Sequence, residues 1–108
     1  MNEKEILKKM RAAEFCAANG RVLRVINIMR HSYERLSAVR SALDDLDDQQ
    51  YLDSINFLAE EGYIRLRCTT SKAEAILADA DYTTLEAKVT GRGIRLLGGE
   101  IVDKMVDA

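Results

Sequence analysis

The stretch Ile55–Arg67, INFLAEEGYIRLR, changes periodicity in its middle. Ile55, Leu58 and Ala59 recur at the spacing of a helix face, Gly62 interrupts, and Tyr63 to Cys68 then alternate with period two, as a half-buried strand does. Glycine is the residue that most readily ends a helix and reverses the backbone behind it. A helix therefore runs from about Gln49 to Glu61, burying Leu52, Ile55 and Leu58 with Tyr51 and Ala59 beside them. A strand follows from Tyr63 to about Thr69, with Ile64, Leu66 and Cys68 inward and Arg65 and Arg67 on the other face.

The rest of the chain supplies more helices and one more strand. Asn2 to Asn19 places Ile6, Met10, Ala13 and Ala17 on one helical face. Asn19-Gly20 then punctuates the sequence, as a break or as a kink in a continuing helix. Arg21 to His31 carries Val22, Val25, Ile26 and Met29 at the spacing of a buried stripe. Tyr33 to Leu36 reads as a short connection with one strand-like pair. Ser37 is positioned to cap a helix from Ala38 to Leu46, with Val39, Ala42, Leu43 and Leu46 facing in. Leu85 to Thr90 alternates Leu85, Ala87 and Val89 against Glu86, Lys88 and Thr90, a second strand. Between the strands, Ser71-Lys72-Ala73-Glu74 has the form of a capping box, and a helical turn through Ile76 and Leu77 is expected. Thr90-Gly91-Arg92-Gly93 opens a last helix with Ile94, Leu97, Ile101 and Met105 on one side. Gly98-Gly99 within it implies either close backbone packing or a break.

A chain of 108 residues makes one domain. Its formal charge of -2 exerts no global pull on nucleic acid or anionic membrane, so any such attraction is local. No run of about 18 apolar residues is present, and MNEKEILKKM lacks the apolar centre of a signal peptide. A cytoplasmic protein without a membrane partner is expected. Cys16 and Cys68 are distant and lack metal-ligand spacing, and His31 is the single histidine. Asp44-Asp45-x-Asp47-Asp48 lacks the glycine and closing glutamate of a calcium loop. Gly91-Arg92-Gly93 has neither dinucleotide nor Walker spacing. The reading is a protein that is not an enzyme and has no cofactor or metal.

Helix, helix, helix, strand, loop, strand, helix, after an extra N-terminal helix, resembles a winged helix-turn-helix domain. FLAEEGYIRLR resembles the end of a recognition helix entering the wing, and LEAKVTGRGIRLL the return strand and the start of a C-terminal helix. More narrowly, the LAEEGY-type helix end and the VTGRG segment are similar to small winged-helix proteins of Mu-like phages and prophages. The resemblance covers roughly residues 21–100. It implies an α+β, mainly helical fold: a winged helix-turn-helix with an extra N-terminal helix, a two-stranded wing and a C-terminal helix. The core is expected at about residues 21–97, with 1–19 and 91–108 as dimerisation helices. It further implies that Gln49–Glu61 is the recognition helix, whose Gln49, Gln50, Asp53, Ser54 and Phe57 are free to meet a major groove. Gln49, Gln50 and Ser54 are suited to base or phosphate contact.

Charge divides that expectation. From Asp44 to Glu61 there are seven acids and no base, a helix that a polyanion repels. Upstream, Arg21, Arg24, Arg30, Arg35 and Arg40 face only Glu34. Arg35 and Arg40 with the wing's Arg65, Arg67 and Lys72 form the expected phosphate footprint on double-stranded DNA. Both terminal helices carry apolar stripes, and a homodimer burying Ile6, Met10, Ile94, Ile101 and Met105 is expected. Two functions of different class follow: a DNA-binding regulator of phage or prophage type, or a protein-interaction module without DNA binding. A basic face around Arg35, Arg40, Arg65 and Arg67 favours the first; an exposed apolar patch that includes Phe57 favours the second.

Overall fold

The computed structural model describes residues 2–108, with Asp79 described by its backbone alone; Met1, the first residue of the expected domain, lies outside the described residues. The elements are α1 (Glu3–Ile28), β1 (Glu34–Arg35), α2 (Leu36–Ser41), α3 (Asp48–Glu60), β2 (Ile64–Cys68), β3 (Leu85–Val89) and α4 (Gly91–Leu97). Two 3-10 turns, Leu77–Asp79 and Tyr82–Thr84, lie between β2 and β3. The strands form one antiparallel sheet in the order β1-β3-β2. The fold is α+β, with a layout compatible with a winged helix. The pair of residues at Glu34–Arg35 adds a third strand to the two expected.

The glycine junction forms as its chemistry demands. Gly62 has φ +78°, the left-handed region that favours glycine. Its N–H donates to the Ala59 carbonyl (3.1 Å) and that of Tyr63 to the Leu58 carbonyl (2.9 Å), closing two of the last open carbonyls of α3. At the other end of α3, Asp47 accepts from the Gln50 N–H (2.8 Å) while Gln50 Oε1 accepts from the Asp47 N–H (3.0 Å), a reciprocal capping box. Tyr51, Ser54, Ile55 and Leu58 form the buried line of α3, and the Tyr51 hydroxyl donates to the Leu36 carbonyl (2.6 Å), tying α3 to α2.

Several boundaries differ from the sequence expectations. At Asn19-Gly20, where a break and a continuing helix were both open, α1 continues as one helix of 26 residues. The pair serves instead as a notch for the chain's last residues. Asn19 is fully buried and its Nδ2 donates to the Met105 carbonyl at 2.9 Å. The Asp107 N–H donates to the Cys16 carbonyl (3.0 Å), and Arg24 donates to the Asp107 carbonyl (2.9 Å). A Cβ on Gly20 would overlap that same Asp107 oxygen. Arg35, not Ser37, precedes α2, which ends at Ser41, so Ala42 lies outside the helix and is exposed while Leu43 and Leu46 are buried in the turn beyond. No helix forms at Ser71–Glu74: Glu74 bridges to Arg67, and the helical turn waits until Leu77.

α4 also stops early, at Leu97. Gly98 ends it and Gly99 has φ +81°, so the glycine pair is a break. Ile101 and Met105 therefore do not share a helical face with Ile94; they belong to the tail that returns to α1. The start of α4 explains the GRG segment. Thr90 Oγ1 accepts from the Gly93 N–H (3.1 Å) and donates to the Gly62 carbonyl (2.6 Å). A Cβ on Gly93 would overlap the Tyr63 carbonyl oxygen and lie 2.7 Å from Val89 Cγ2. Two glycines and one threonine thus lock α4 onto the α3–β2 junction. The core lies between the second half of α1, α2, α3 and the inner sheet face, where Leu23, Leu36, Ile55, Leu58, Leu85 and Ala87 have no exposed surface.

Candidate nucleic-acid interface

The register of the sheet decides which charges meet. β2 and β3 pair Arg65 with Lys88 and Arg67 with Glu86, and β1 pairs Arg35 with Glu86. Directly paired residues lie on one face of an antiparallel sheet. The face turned away from the core therefore carries one row of Arg35, Glu86 and Arg67, extended by the Arg67–Glu74 bridge, and a second row of Lys88 and Arg65. Lys72, in the connection that follows β2 and with φ +61°, sends its ammonium back to the first row.

In the first row Glu86 pairs with Arg67 and Lys72 and leaves Arg35 unpaired among the described residues. Arg67 Nε donates to Glu86 Oε1 (2.6 Å), and Lys72 Nζ lies 3.0 Å from the same oxygen. The Arg67 guanidinium covers the Tyr33 ring, 3.5 Å from its centroid. Burial alone would raise the Glu86 carboxyl above its ordinary range; the hydrogen bonds from Arg67 and Lys72 outweigh it and hold the group lowered. Arg67 and Lys72 are thus held in place rather than free, although both remain partly open to solvent.

The second row has no such compensation. Arg65 is exposed and Lys88 half-buried, and neither makes an ion pair or a side-chain hydrogen bond among the described residues. Like charges set directly opposite on an antiparallel pair destabilise the sheet. Arg35, exposed at the start of α2, is similarly without a carboxylate partner among the described residues. The arrangement of Arg65, Lys88 and Arg35, backed by the fixed Arg67 and Lys72, suits an anion whose charges repeat along a surface.

The other expected contact residues are placed differently. Arg40 turns toward its own helices: Nε lies 3.3 Å from Asp48, Nη1 donates to the Leu43 carbonyl (2.9 Å), and the guanidinium sits 5.6 Å from the Tyr51 ring centroid. Ser54 is fully buried and cannot reach a groove. Its Oγ is one of three buried polar atoms without a partner among the described residues. Gln50 is engaged in the capping box, and Gln49 donates to Asp53 at 2.7 Å. Phe57 is not an exposed sticky spot; it is half-buried and stacks edge-on against Phe15 of α1 at 5.4 Å. What α3 shows to solvent is Asp48, Gln49, Asp53, Asn56 and Glu60. Of the upstream arginines, Arg21 forks onto Asp45 (2.6 and 2.8 Å), a hydrogen-bonded pair that holds that carboxyl below its ordinary range, and Arg24 binds the tail.

Lys88 was the residue the sequence reading left out. Its outward position was legible from the alternation of β3; its pairing with Arg65 was not, because register is a tertiary property. Beside the second row, an open groove of about 1040 Å³ lies between the end of α3, β2, residues 74–80 and the start of α4. Arg65, Arg92, Glu60 and Glu74 all line it, and none of the four makes an ion pair among the described residues. Among the described residues no three His, Cys, Asp or Glu side chains are grouped to hold a metal, and no helix is long and apolar enough to cross a membrane. Compared with known proteins, the chain matches no protein-family model, no curated protein and no solved structure.

Proposed function

We propose that the chain is a winged-helix type DNA-binding domain, a transcription regulator on that reading, which grips the duplex phosphates through the outer face of its sheet and its wing. The observation that carries this reading is the directly opposed, uncompensated pair Arg65 and Lys88. Such a pair costs folding free energy in isolation and is relieved by a polyanion. Arg35 extends the footprint on one side, and Arg67 and Lys72 extend it toward the wing turn. α3, whose solvent face is acidic, stays out of the groove, so binding is dominated by backbone contacts with little base readout. This departs from the usual assignment of reading to the second helix of the motif, and follows from the burial of Ser54 and the engagement of Gln49 and Gln50.

The test is fluorescence anisotropy of duplex DNA at low and at physiological salt. Wild type should bind with a steep loss of affinity as salt rises. Arg65→Ala/Lys88→Ala should bind more weakly, with a log–log salt slope shallower by about 2, since each phosphate contact contributes about -0.9. Asp53→Ala/Glu60→Ala should bind equally well or more tightly. Absence of binding at low salt would defeat the reading and favour a protein-interaction module, to which the acidic face of α3 would then belong.

A further inference from the structure

The first half of α1 has an apolar face that its own domain does not use. In the second half, Ala18, Val22, Leu23 and Ile26 enter the core. Continued toward the N-terminus at 3.6 residues per turn, that line meets Lys4, Lys8 and Arg11. Ile6, Met10, Ala13 and Ala17 lie about half a turn away, on the opposite side of the helix. Every residue of α1 from Glu3 to Glu14 is exposed, with Ile6 at 44% and Met10 at 54%. The helix thus exchanges its apolar face in passing from one half to the other. The same outward line continues through Gly20 and Arg24, where the chain's own tail covers it. Beyond Ala17 the cover ends.

We infer that a second copy of this chain docks on this outward face, as a parallel two-fold pair of α1 helices. The spacing from Ile6 to Met10 to Ala13 to Ala17 is 4, 3, 4, that of a coiled-coil seam. Charge complementarity selects a second copy and sets its direction. Lys9 and Glu14 flank the seam on opposite sides, five residues apart, and neither has an ion-pair partner among the described residues. In a parallel in-register pair Lys9 of each copy meets Glu14 of the other, twice by symmetry. An antiparallel pair sets lysine flank against lysine flank. The contact spans about 18 Å of helix at 1.5 Å per residue, which buries less than the roughly 800 Å² per partner of a standard interface. The dimer is therefore reversible and concentration-dependent. Ile94 and Met105, each 39% exposed, and the half-buried Ile101 lie off this seam, so the dimer contact narrows to α1.

Sedimentation velocity across a wide concentration range tests this without nucleic acid, so its failure leaves the sheet-face reading standing. Wild type should shift from monomer to dimer as concentration rises. Met10→Glu should stay monomeric throughout with an unchanged circular dichroism spectrum, because the residue is exposed in the single chain. Lys9→Glu and Glu14→Lys should each weaken association at least several-fold, and Lys9→Glu/Glu14→Lys should restore it. A wild type that is monomeric throughout, a Met10→Glu variant that still dimerises, or a charge exchange that fails to restore association would each overturn the inference.

Discussion

Gly20→Ala should change sign with the presence of the last six residues. Within a helix, alanine is favoured over glycine by about 1 kcal/mol, so the substitution in α1 would ordinarily stabilise the protein. Here the added Cβ would overlap the Asp107 carbonyl oxygen and lie 2.7 Å from its carbonyl carbon, both backbone atoms that cannot rotate away. The tail must lift. The cost cannot exceed the tail's net docking free energy, because complete detachment removes the overlap. That free energy is about 2 kcal/mol, the burial of the Val106 side chain, with the tail's hydrogen bonds roughly offset by the entropy of ordering it. The full chain should lose about 1 kcal/mol, a fall in Tm of about 4–8 °C for a domain of this size. In a chain ending at Val102 the same substitution should gain about 1 kcal/mol. Thermal unfolding of the four proteins, with and without residues 103–108 and with glycine or alanine at 20, completes the double-mutant cycle. An alanine variant of the full chain more stable than wild type would refute the notch.

Two further outcomes follow from the geometry. Gly93→Ala should destabilise by more than Gly91→Ala, by about 2 kcal/mol or more, because its Cβ would meet the Tyr63 carbonyl and Val89 whereas a Cβ at Gly91 meets nothing within 4 Å; urea unfolding of both compares them directly. The Glu86 carboxyl is held below its ordinary value, so its ion pairs contribute stability above the unfolded pKa of about 4.3 and lose it as pH falls through the lower folded value. Glu86→Gln should therefore be less stable than wild type at neutral pH and show a smaller further loss on acidification below about pH 4.3, measured by denaturant unfolding at several pH values.

What could be seen in the sequence was what local chemistry settles. Gly62 demanded a positive φ, and β2, β3 and α3 each fell within one or two residues of their expected ends. The Asp47-x-x-Gln50 spacing was itself a capping-box signal, and Ser54 stood three residues after Tyr51 and beside Ile55, on the buried line; both could have been removed from the groove-contact set on that ground. Other features were out of reach. Asn19-Gly20 carries the chemistry of a helix boundary, and the need for its glycine shows only in the approach of Asp107, more than eighty residues away. The rank of the charges depended on the sheet register: Arg67 and Lys72 converge on Glu86, while Lys88, left out of the expected footprint, stands opposite Arg65 without an ion-pair partner among the described residues.

The claim that the sheet face rather than α3 meets DNA is tested most directly by amide chemical-shift mapping of the labelled protein titrated with a short duplex at low salt. Shifts should concentrate at Arg35, Arg65, Arg67, Lys72 and Lys88 and reverse as salt is added, while Gln49, Asp53, Asn56 and Glu60 stay still. Perturbations centred on α3, or a spectrum unmoved by DNA, would contradict it.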